Sequence, residues 1–272
     1  MKPEIAYKKP KQMLNPASGY LTGYSHTLNP YAGCSYACSY CYVRQMPIAL
    51  LREQAWGTWI DVKEGAAGQL RKELVKAKKK GPVTIFMSSS TDPYQLIESK
   101  AGITRSLLEV MVDEKPEFLF VQTRSPLVTR DIDLFLQLKD RIRISMTIET
   151  DREDMRQVFT PLAPTITARI HALKKIVEAD LPTQATIAPL LPSSDNFAKM
   201  LSAVADRVCL DDYFMGDGSG GKRTHRLGIR SVYEEIGLVD WYDSTAYLQV
   251  LDKLQKEFRE DRIFISQQGF LP

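Results

Sequence analysis

Short apolar segments alternate with longer amphipathic segments through most of this 272-residue chain. Five runs rich in β-branched and apolar residues have the composition of strands: 82–87, 118–122, 141–147, 183–188 and 207–210. A further strand is predicted within 20–28. The segments between them have helical spacing with charged outer faces: 65–80, 101–113, 130–139, 166–179 and 197–205. Six strand–helix repeats predict an α/β fold, a partial TIM-type (β/α)6 barrel with parallel strands.

The length and composition fit one barrel with a short extension. With 44% hydrophobic and 25% charged residues, the chain can bury one large core. The glycine-rich stretch 215–221 separates a predicted barrel with an N-terminal arm, 1–214, from an extension, 215–272. We expect the extension to contain the glycine-rich loop, a helix over 244–259 and a strand over 263–266. This short α+β extension is predicted to pack on the barrel.

Charge and hydropathy limit the classes of protein that fit. The net charge of +3, from 36 basic and 33 acidic residues, is well below the strong positive charge of a dedicated nucleic-acid binder. It still permits a nucleic-acid substrate. The sequence has no run of about 18 apolar residues and no signal-peptide pattern, so neither a membrane span nor export is expected. Reduced cysteines favour a cytoplasmic location.

Three cysteines lie within eight positions, in the spacing C-x3-C-x2-C: Cys34, Cys38 and Cys41, with Tyr40 just before the third. A disulfide framework is a poor interpretation because four cysteines form too few disulfide bonds to stabilise a chain of this length. A structural zinc site needs four ligands, and there is no second cysteine pair to complete it. The remaining candidate zinc ligands are scattered: Cys209, His26, His171 and His225. Three thiolates can instead hold three irons of a cubane cluster and leave one iron open.

The cysteine motif resembles that of the radical S-adenosylmethionine superfamily, and further motifs are similar to its spore photoproduct lyase-like group. Cys-Ser-Tyr-Cys-Tyr spans 38–42, and Ser-Ser-Thr-Asp-Pro spans 89–93. Thr-Arg follows at 123–124, Arg-Ile-Ser at 143–145 and Ala-Pro-Leu-Leu-Pro at 188–192. The matches occur in family order over about residues 20 to 200. Each motif also follows or ends a predicted strand, as expected of a barrel enzyme.

The resemblance implies an enzyme with a [4Fe-4S] cluster on Cys34, Cys38 and Cys41 and with S-adenosylmethionine bound at the open iron. Reductive cleavage of S-adenosylmethionine would give a 5'-deoxyadenosyl radical that abstracts hydrogen from an unidentified substrate, with nucleic acid or a nucleotide as the candidate class. An electron donor such as flavodoxin or ferredoxin is implied as a partner. The implied cofactor contacts are Ser90, Thr91 and Asp92 for the amino group, Arg124 for the carboxylate, Ser145 for the ribose and Tyr40 for the adenine.

One position departs from the lyase. The resemblance places Ser89 where the lyase has the cysteine that returns a hydrogen atom to the product radical. A serine O–H bond is too strong for this role, so DNA photoproduct repair would need a different hydrogen donor. Cys209 is the other available thiol, although a lone strand cysteine is more often a buried apolar residue. Tyr42 and Tyr94 are candidates for relaying a radical or a proton, with ordinary packing as the alternative.

A binding protein remains the alternative from a different class. In that interpretation a zinc ion at the cysteines stabilises a nucleic-acid-binding module that has no redox activity. Four basic residues follow the glycine-rich stretch: Lys222, Arg223, His225 and Arg226. They are candidates for a phosphate contact, and a solvated loop is the other interpretation.

Overall fold

The computed structural model describes residues 2–216 and 218–272. These residues form strands in two sheets: β1 (Glu4–Lys8), β2 (Leu14–Pro16), β3 (His26–Leu28), β4 (Tyr31–Ala32), β5 (Trp59–Lys63), β6 (Thr84–Met87), β7 (Phe118–Thr123), β8 (Ile142–Thr147), β9 (Thr183–Ile187), β10 (Val208–Leu210) and β11 (Ile263–Ile265). The α-helices are α1 (Pro47–Leu50), α2 (Ala66–Lys78), α3 (Glu98–Ala101), α4 (Ile103–Asp113), α5 (Ile132–Leu136), α6 (Glu153–Phe159), α7 (Ile166–Glu178), α8 (Phe197–Ser202), α9 (Lys222–Arg226), α10 (Ile229–Glu235), α11 (Ala246–Glu257) and α12 (Gln267–Phe270).

The larger sheet has the strand order β11-β10-β9-β8-β7-β6-β3-β2. Its strands from β3 to β11 are parallel, and β2 pairs antiparallel with β3 at one edge. The order follows the chain from β6 to β11, as in a barrel built from successive strand–helix units. The carboxyl ends of all seven parallel strands therefore lie at the same edge of the sheet.

Side chains alternate across each strand, so the two faces of the sheet have different environments. On β6, Ile85 and Met87 belong to the core between the sheet and the helices, whereas Phe86 faces the barrel interior. The interior cluster is mainly aromatic and consists of Tyr24, Phe86, Phe120, Cys209 and Phe270, with Tyr20 packed against it. Phe86 and Phe120 stack with ring centroids 5.0 Å apart. These side chains fill the lower part of the barrel.

The outer face of the sheet is covered by helices with one apolar side. Leu70 and Leu74 of α2, Leu107 of α4, and Leu173 of α7 are fully buried in the same core as the strands. Fully burying a leucine side chain contributes about 1.5 to 3 kcal/mol, so this layer holds the helices in place.

A second, three-stranded sheet with the order β1-β5-β4 positions the cysteine segment. In it β5 pairs parallel with β1 and antiparallel with β4. Gly33 follows β4 with a φ of +80°. A Cβ atom there would lie 2.3 Å from the backbone oxygen of Trp59. Only glycine allows the chain to pass this close to β5 directly before the first cysteine.

The structure confirms the α/β fold and the partial TIM-type barrel. Most predicted strands and helices lie within a few residues of their observed bounds, but the first strand is shorter because Gly19–Leu21 forms a 3-10 helix. The strand of the C-terminal extension, β11, pairs with β10 and continues the barrel sheet. The alternation of apolar and amphipathic segments in the sequence did not predict the sheet formed by β1, β5 and β4. No helix among the described residues is long and apolar enough to span a membrane.

Gly33→Ala should destabilise the protein more than the matched change Gly65→Ala. Both glycines have a positive φ, +80° and +73°, but a Cβ atom at Gly65 would meet nothing within 4 Å. Gly65→Ala should therefore cost about 1 to 2 kcal/mol for the left-handed backbone alone. Gly33→Ala should cost about 2 kcal/mol more because the β5 backbone must move. Urea unfolding followed by circular dichroism measures both changes, and equal losses would contradict the close packing of Gly33.

Candidate active site

The carboxyl ends of the parallel strands surround one cavity of about 670 Å³. Residues at or just beyond the ends of five strands line it: Ser88 after β6, Arg124 after β7, Thr147 of β8, Ala188 after β9 and Asp211 after β10. The cysteine segment lies on its wall, since Cys34, Cys38 and Cys41 all line it. The sequence predicted that the motif-bearing loops would meet at this edge of the sheet.

The cysteine segment is held by bonds to its neighbours rather than by regular secondary structure. The Ser35 backbone N–H donates to Gln95 Oε1 at 2.9 Å, and the Ser39 N–H donates to the Phe159 carbonyl at 2.9 Å. Tyr36 donates its hydroxyl to the Tyr94 carbonyl at 3.2 Å. Ala37 has a φ of +47°, an uncommon conformation for a non-glycine residue. These contacts hold the three cysteines toward the cavity.

The three thiols form a donor set of the kind that holds an iron–sulfur cluster. All three cysteines are free of disulfides, and burial raises the pKa of each thiol, that of Cys41 to about 12. Within residues 2–216 and 218–272, no three His, Cys, Asp or Glu side chains are close enough to hold a single metal ion. A four-iron cluster binds each thiolate through a different iron and so suits a wider spacing. Three soft thiolates around one cavity are a suitable donor set for it.

The Ser89–Asp92 loop, residues 89–92, is fixed in shape by Asn29. The Asn29 amide donates to Ser89 Oγ at 2.9 Å, and its oxygen accepts from the Ser90 N–H at 3.0 Å. Ser88, just before the loop, has a φ of +84° and donates its hydroxyl to the Thr91 carbonyl at 2.6 Å. Such strained backbone often occurs where a loop is pre-shaped for a ligand. All four loop residues line the cavity.

The Asp92 carboxylate is already bonded to protein groups. Oδ1 accepts from Thr123 Oγ1 at 2.7 Å and from the Tyr94 N–H at 2.9 Å, and Oδ2 accepts from the Arg124 N–H at 2.8 Å. Burial raises the pKa of Asp92, against these hydrogen bonds. Asp92 therefore ties its loop to the end of β7, and the direct cofactor contact predicted for it from the sequence stays a prediction.

Arg124 lies between the cysteine segment and a buried carboxylate. Its Nη1 is 3.1 Å from Cys38 Sγ, 2.9 Å from Tyr40 Oη and 2.6 Å from Glu149 Oε1. All of these contacts use Nη1, which leaves Nε and Nη2 as donors for a ligand. The Arg124 side chain also lines the cavity. It can therefore present a guanidinium edge to an anionic group there.

The carboxylate that holds Arg124, Glu149, was missed in the sequence analysis. It follows β8 by two residues and is buried. Glu149 accepts from Tyr40 Oη at 2.6 Å and from Arg169 Nη1 at 2.5 Å. Burial raises its pKa, but the guanidinium groups of Arg169 and Arg124 outweigh burial and lower the pKa to about 2. The sequence did contain one signal for Glu149, its position just after a predicted strand, because catalytic loops follow the strands of a barrel.

The remaining predicted site residues are divided between the cavity and the protein interior. Tyr42 lines the cavity and donates its hydroxyl to the Ser89 carbonyl at 2.8 Å. Tyr40 lines an adjoining cavity of about 150 Å³ that shares Cys38, Cys41 and Arg124 with the larger one.

Three predicted residues do not line either cavity. Ser145 is fully buried and bonds Thr186 Oγ1 at 2.6 Å, one layer below Thr147. The hydroxyl of Tyr94 donates to Asp131 at 3.0 Å. Cys209 is buried in the aromatic interior, with Sγ 3.5 Å from the Ser266 carbonyl. Their positions therefore give no support to the ribose, relay and hydrogen-donor roles predicted for them.

Glu149→Gln should destabilise the protein by about 3 kcal/mol at pH 7, because it leaves the buried Arg169 guanidinium and the partly buried Arg124 guanidinium without their counter-charge. The lowered pKa means that the stabilisation is complete above the ordinary value of 4.5 and is lost as pH falls toward about 2. The difference from the wild type should therefore shrink between pH 5 and pH 3. Urea unfolding at several pH values measures it.

Glu234→Gln is the matched control, because Glu234 pairs with Arg230 on the surface. It should cost about 0.5 kcal/mol or less. A Glu149→Gln effect that is equally small, or that does not change with pH, would contradict the network.

Comparison with known proteins gives the family of this chain. A family model for the Radical SAM superfamily matches residues 28–203. The uncharacterized protein MJ0683 of Methanocaldococcus jannaschii is 35% identical over 189 residues, which cover 70% of this chain and 68% of that protein. The uncharacterized protein ORF301 of Acidianus two-tailed virus is 28% identical over 247 residues, 86% of this chain and 77% of that protein.

Solved structures show the same fold at low sequence identity. A spore photoproduct lyase mutant with bound AdoMet and dinucleoside spore photoproduct has a TM-score of 0.64 and 14% identity, and the match covers 96% of this chain and 81% of that one. Streptococcus suis SuiB bound to the precursor peptide SuiA has a TM-score of 0.53 and 14% identity, over 76% of this chain and 45% of that one. From the family match and the shared fold, this chain belongs to the radical S-adenosylmethionine superfamily.

Proposed function

We propose that this radical S-adenosylmethionine enzyme cleaves S-adenosylmethionine reductively at a [4Fe-4S] cluster bound by Cys34, Cys38 and Cys41. The observation that carries the proposal is the meeting of these cysteines with Ser90, Thr91 and Arg124 on the wall of one cavity. When bound, the cluster supplies the electron that breaks a C–S bond of S-adenosylmethionine, and the resulting 5'-deoxyadenosyl radical takes a hydrogen atom from the substrate. A flavodoxin- or ferredoxin-type protein would supply that electron.

None of the four candidates for a fourth zinc ligand named from the sequence, Cys209, His26, His171 and His225, lines the cavity with the three cysteines. Cys209 is enclosed in the aromatic interior, and His26 bonds its neighbour Ser25 at 2.8 Å. A closed four-ligand zinc site is therefore disfavoured, whereas a cluster with one open iron needs only three protein ligands.

The methionine part of S-adenosylmethionine carries an ammonium and a carboxylate, and the cavity offers partners for both. The hydroxyls of Ser90 and Thr91 are acceptors for the ammonium. The free edge of Arg124 can form two parallel hydrogen bonds with the carboxylate. Asp92 would have an indirect role, because its carboxylate accepts from the Arg124 backbone N–H and so positions Arg124. Tyr40, on the wall of the adjoining cavity, is our candidate for the adenine contact.

The substrate class that we propose is a nucleic acid or nucleotide. Arg223, in the C-terminal segment 215–272, lines the cavity and supplies a cation at its edge. A phosphate is a suitable partner for such a guanidinium group. The bound ligand of the lyase mutant, a dinucleoside photoproduct, is of the same class.

Photoproduct repair by the lyase's own route is not part of the proposal. Ser89 lines the cavity, and its hydroxyl is bonded to Asn29. Apart from the three cluster cysteines, no thiol of the described residues lines the cavity, since Cys209 lies below it. A product radical would therefore have to take its hydrogen atom from another source, such as the 5'-deoxyadenosine formed in the abstraction, which would regenerate the 5'-deoxyadenosyl radical.

Replacing any one of the three cysteines with alanine should abolish cluster binding. The wild type, reconstituted without oxygen, should contain about four irons and four sulfides per chain. Cys209→Ala is the matched thiol control and should keep the full iron content. Iron and sulfide analysis, electron paramagnetic resonance after dithionite reduction, and release of 5'-deoxyadenosine measure these outcomes. A colourless wild type with one zinc per chain would refute the cluster.

Arg124→Gln should weaken S-adenosylmethionine binding about 10- to 100-fold, because a charge-assisted bond to the carboxylate is lost. Arg124→Lys should be intermediate, since lysine keeps the charge but lacks the two-pronged geometry. Arg44→Gln is the control, because Arg44 is exposed next to the cysteine segment. Equilibrium dialysis of labelled S-adenosylmethionine with the anaerobic, cluster-loaded protein measures binding. Wild-type affinity in Arg124→Gln would remove Arg124 from the site.

A further inference from the structure

Asp211 is a buried carboxyl group in the cavity wall that the proposed cofactor chemistry does not use. It directly follows β10, three strands along the sheet from β7 and Arg124. It lines both the 670 Å³ cavity and the adjoining 150 Å³ cavity. Its side chain is therefore at the reaction cavity although only 3% of the residue is exposed.

Neutral donors hold the Asp211 carboxyl group in place. Oδ2 accepts from Tyr20 Oη at 3.0 Å, and Oδ1 accepts from the Asp212 N–H at 3.0 Å. Tyr20 Oη also lies 3.1 Å from Ser266 Oγ. Gly216 packs so closely on the carboxyl group that a Cβ atom would lie 2.2 Å from Oδ2. Residues from three separate parts of the chain thus fix its orientation.

No lysine, arginine or histidine of the described residues forms an ion pair with Asp211. A carboxyl group buried without a cation is costly, and such groups are concentrated at functional sites. Burial raises the pKa of Asp211 to about 7, against the hydrogen bond from Tyr20. The neighbouring titratable groups are Asp212, Cys209 and Tyr20, and none of them supplies a positive charge. The carboxyl group is thus positioned to bind a donor that the protein itself does not provide.

The surroundings of Asp211 suit a flat ring with an anionic group attached. Phe86, Phe270 and Tyr20 line the same cavity and present aromatic surface. A planar heterocycle can stack on such surfaces. Arg223 lines the cavity as well, and its guanidinium group is a candidate contact for a phosphate.

The hydrogen-bonding capacity of Asp211 further limits which heterocyclic ring can bind there. Oδ2 accepts from Tyr20 and Oδ1 accepts from the Asp212 N–H, and each carboxylate oxygen can accept a second hydrogen bond. A partner with two adjacent N–H donors satisfies both oxygens at once. Among the nucleobases, guanine presents such a pair, at ring N1 and the exocyclic N2.

We propose that Asp211 is the specificity-determining residue of this site and that it binds the N1–H and N2–H edge of a guanine nucleotide. The inference rests on the proposed function, since it names the substrate of the same cavity. Tyr20 acts as a positioning residue for the Asp211 carboxylate. Phe86 and Phe270 support the base, and Arg223 is placed for the phosphate.

The test compares guanosine 5'-monophosphate with inosine 5'-monophosphate, which lacks the N2 amino group. Calorimetry on the anaerobic, cluster-loaded protein with S-adenosylmethionine should give at least about tenfold tighter binding of the guanine nucleotide to the wild type. Asp211→Asn should reduce this preference to less than about twofold. Asp206→Asn, the same charge change at an exposed position just before β10, should leave the preference unchanged.

Tyr20→Phe keeps the aromatic ring and removes only the hydroxyl that orients Asp211. It should lower the preference severalfold, and it provides a second test where Asp211→Asn does not fold. Wild-type preference in either folded variant would overturn the inference. So would equal binding of the two nucleotides by the wild type, or a loss of S-adenosylmethionine affinity in Asp211→Asn without a loss of nucleotide preference.

Release of 5'-deoxyadenosine, measured on the same wild-type samples, separates the two proposals. Cofactor cleavage without any guanine preference refutes the Asp211 inference and leaves the radical chemistry intact. Guanine preference without cofactor cleavage supports the Asp211 assignment and refutes the proposed reaction.

Discussion

The Glu149 carboxylate joins two guanidinium groups and a phenol in the barrel interior, and the geometry of the cavity wall depends on it. Without this counter-charge, Arg169 would be an unpaired buried cation and Arg124 would lose a partner in a partly buried position, and a protein interior tolerates such charges poorly. Through Arg124 and Tyr40 the carboxylate also connects β8 to the cysteine segment. One anion thus sets the distance between the strand ends and the thiols, so the site is fixed before any cofactor binds.

The same cavity has two chemically different ends. Arg124 and the hydroxyls of Ser90 and Thr91 suit a zwitterion, whereas the aromatic side chains and Asp211 suit a neutral, planar group with N–H donors. This division follows from the barrel, since adjacent strand ends bring residues that are distant in sequence to one edge. A radical enzyme needs both ends in one enclosure because its reactive intermediate must meet the substrate before it meets solvent.

Much of the barrel could be predicted from sequence because buried parallel strands and amphipathic helices leave clear local patterns. The cysteines, Ser90 and Arg124 could be found as motifs. Glu149 and Asp211 could not, because a lone acidic residue after a strand resembles any surface carboxylate until its partners are known. For Ser145 the motif gives a place at the end of a strand, and the structure puts the side chain one layer below the cavity, against Thr186. Local sequence does not specify such depth.

The lower boundary of the cavity joins parts of the chain that are far apart in sequence. Tyr20 and Ser266 are in contact although 246 residues separate them in the sequence. Phe270 packs against both rings of the stacked pair Phe86 and Phe120. Closing loops of this length has an entropic cost, which these contacts must outweigh in the folded protein. Tyr20, Ser266 and Phe270 all lie outside residues 28–203, the part of the chain that the superfamily model matches. The aromatic end of the cavity is therefore formed in part by segments outside that match.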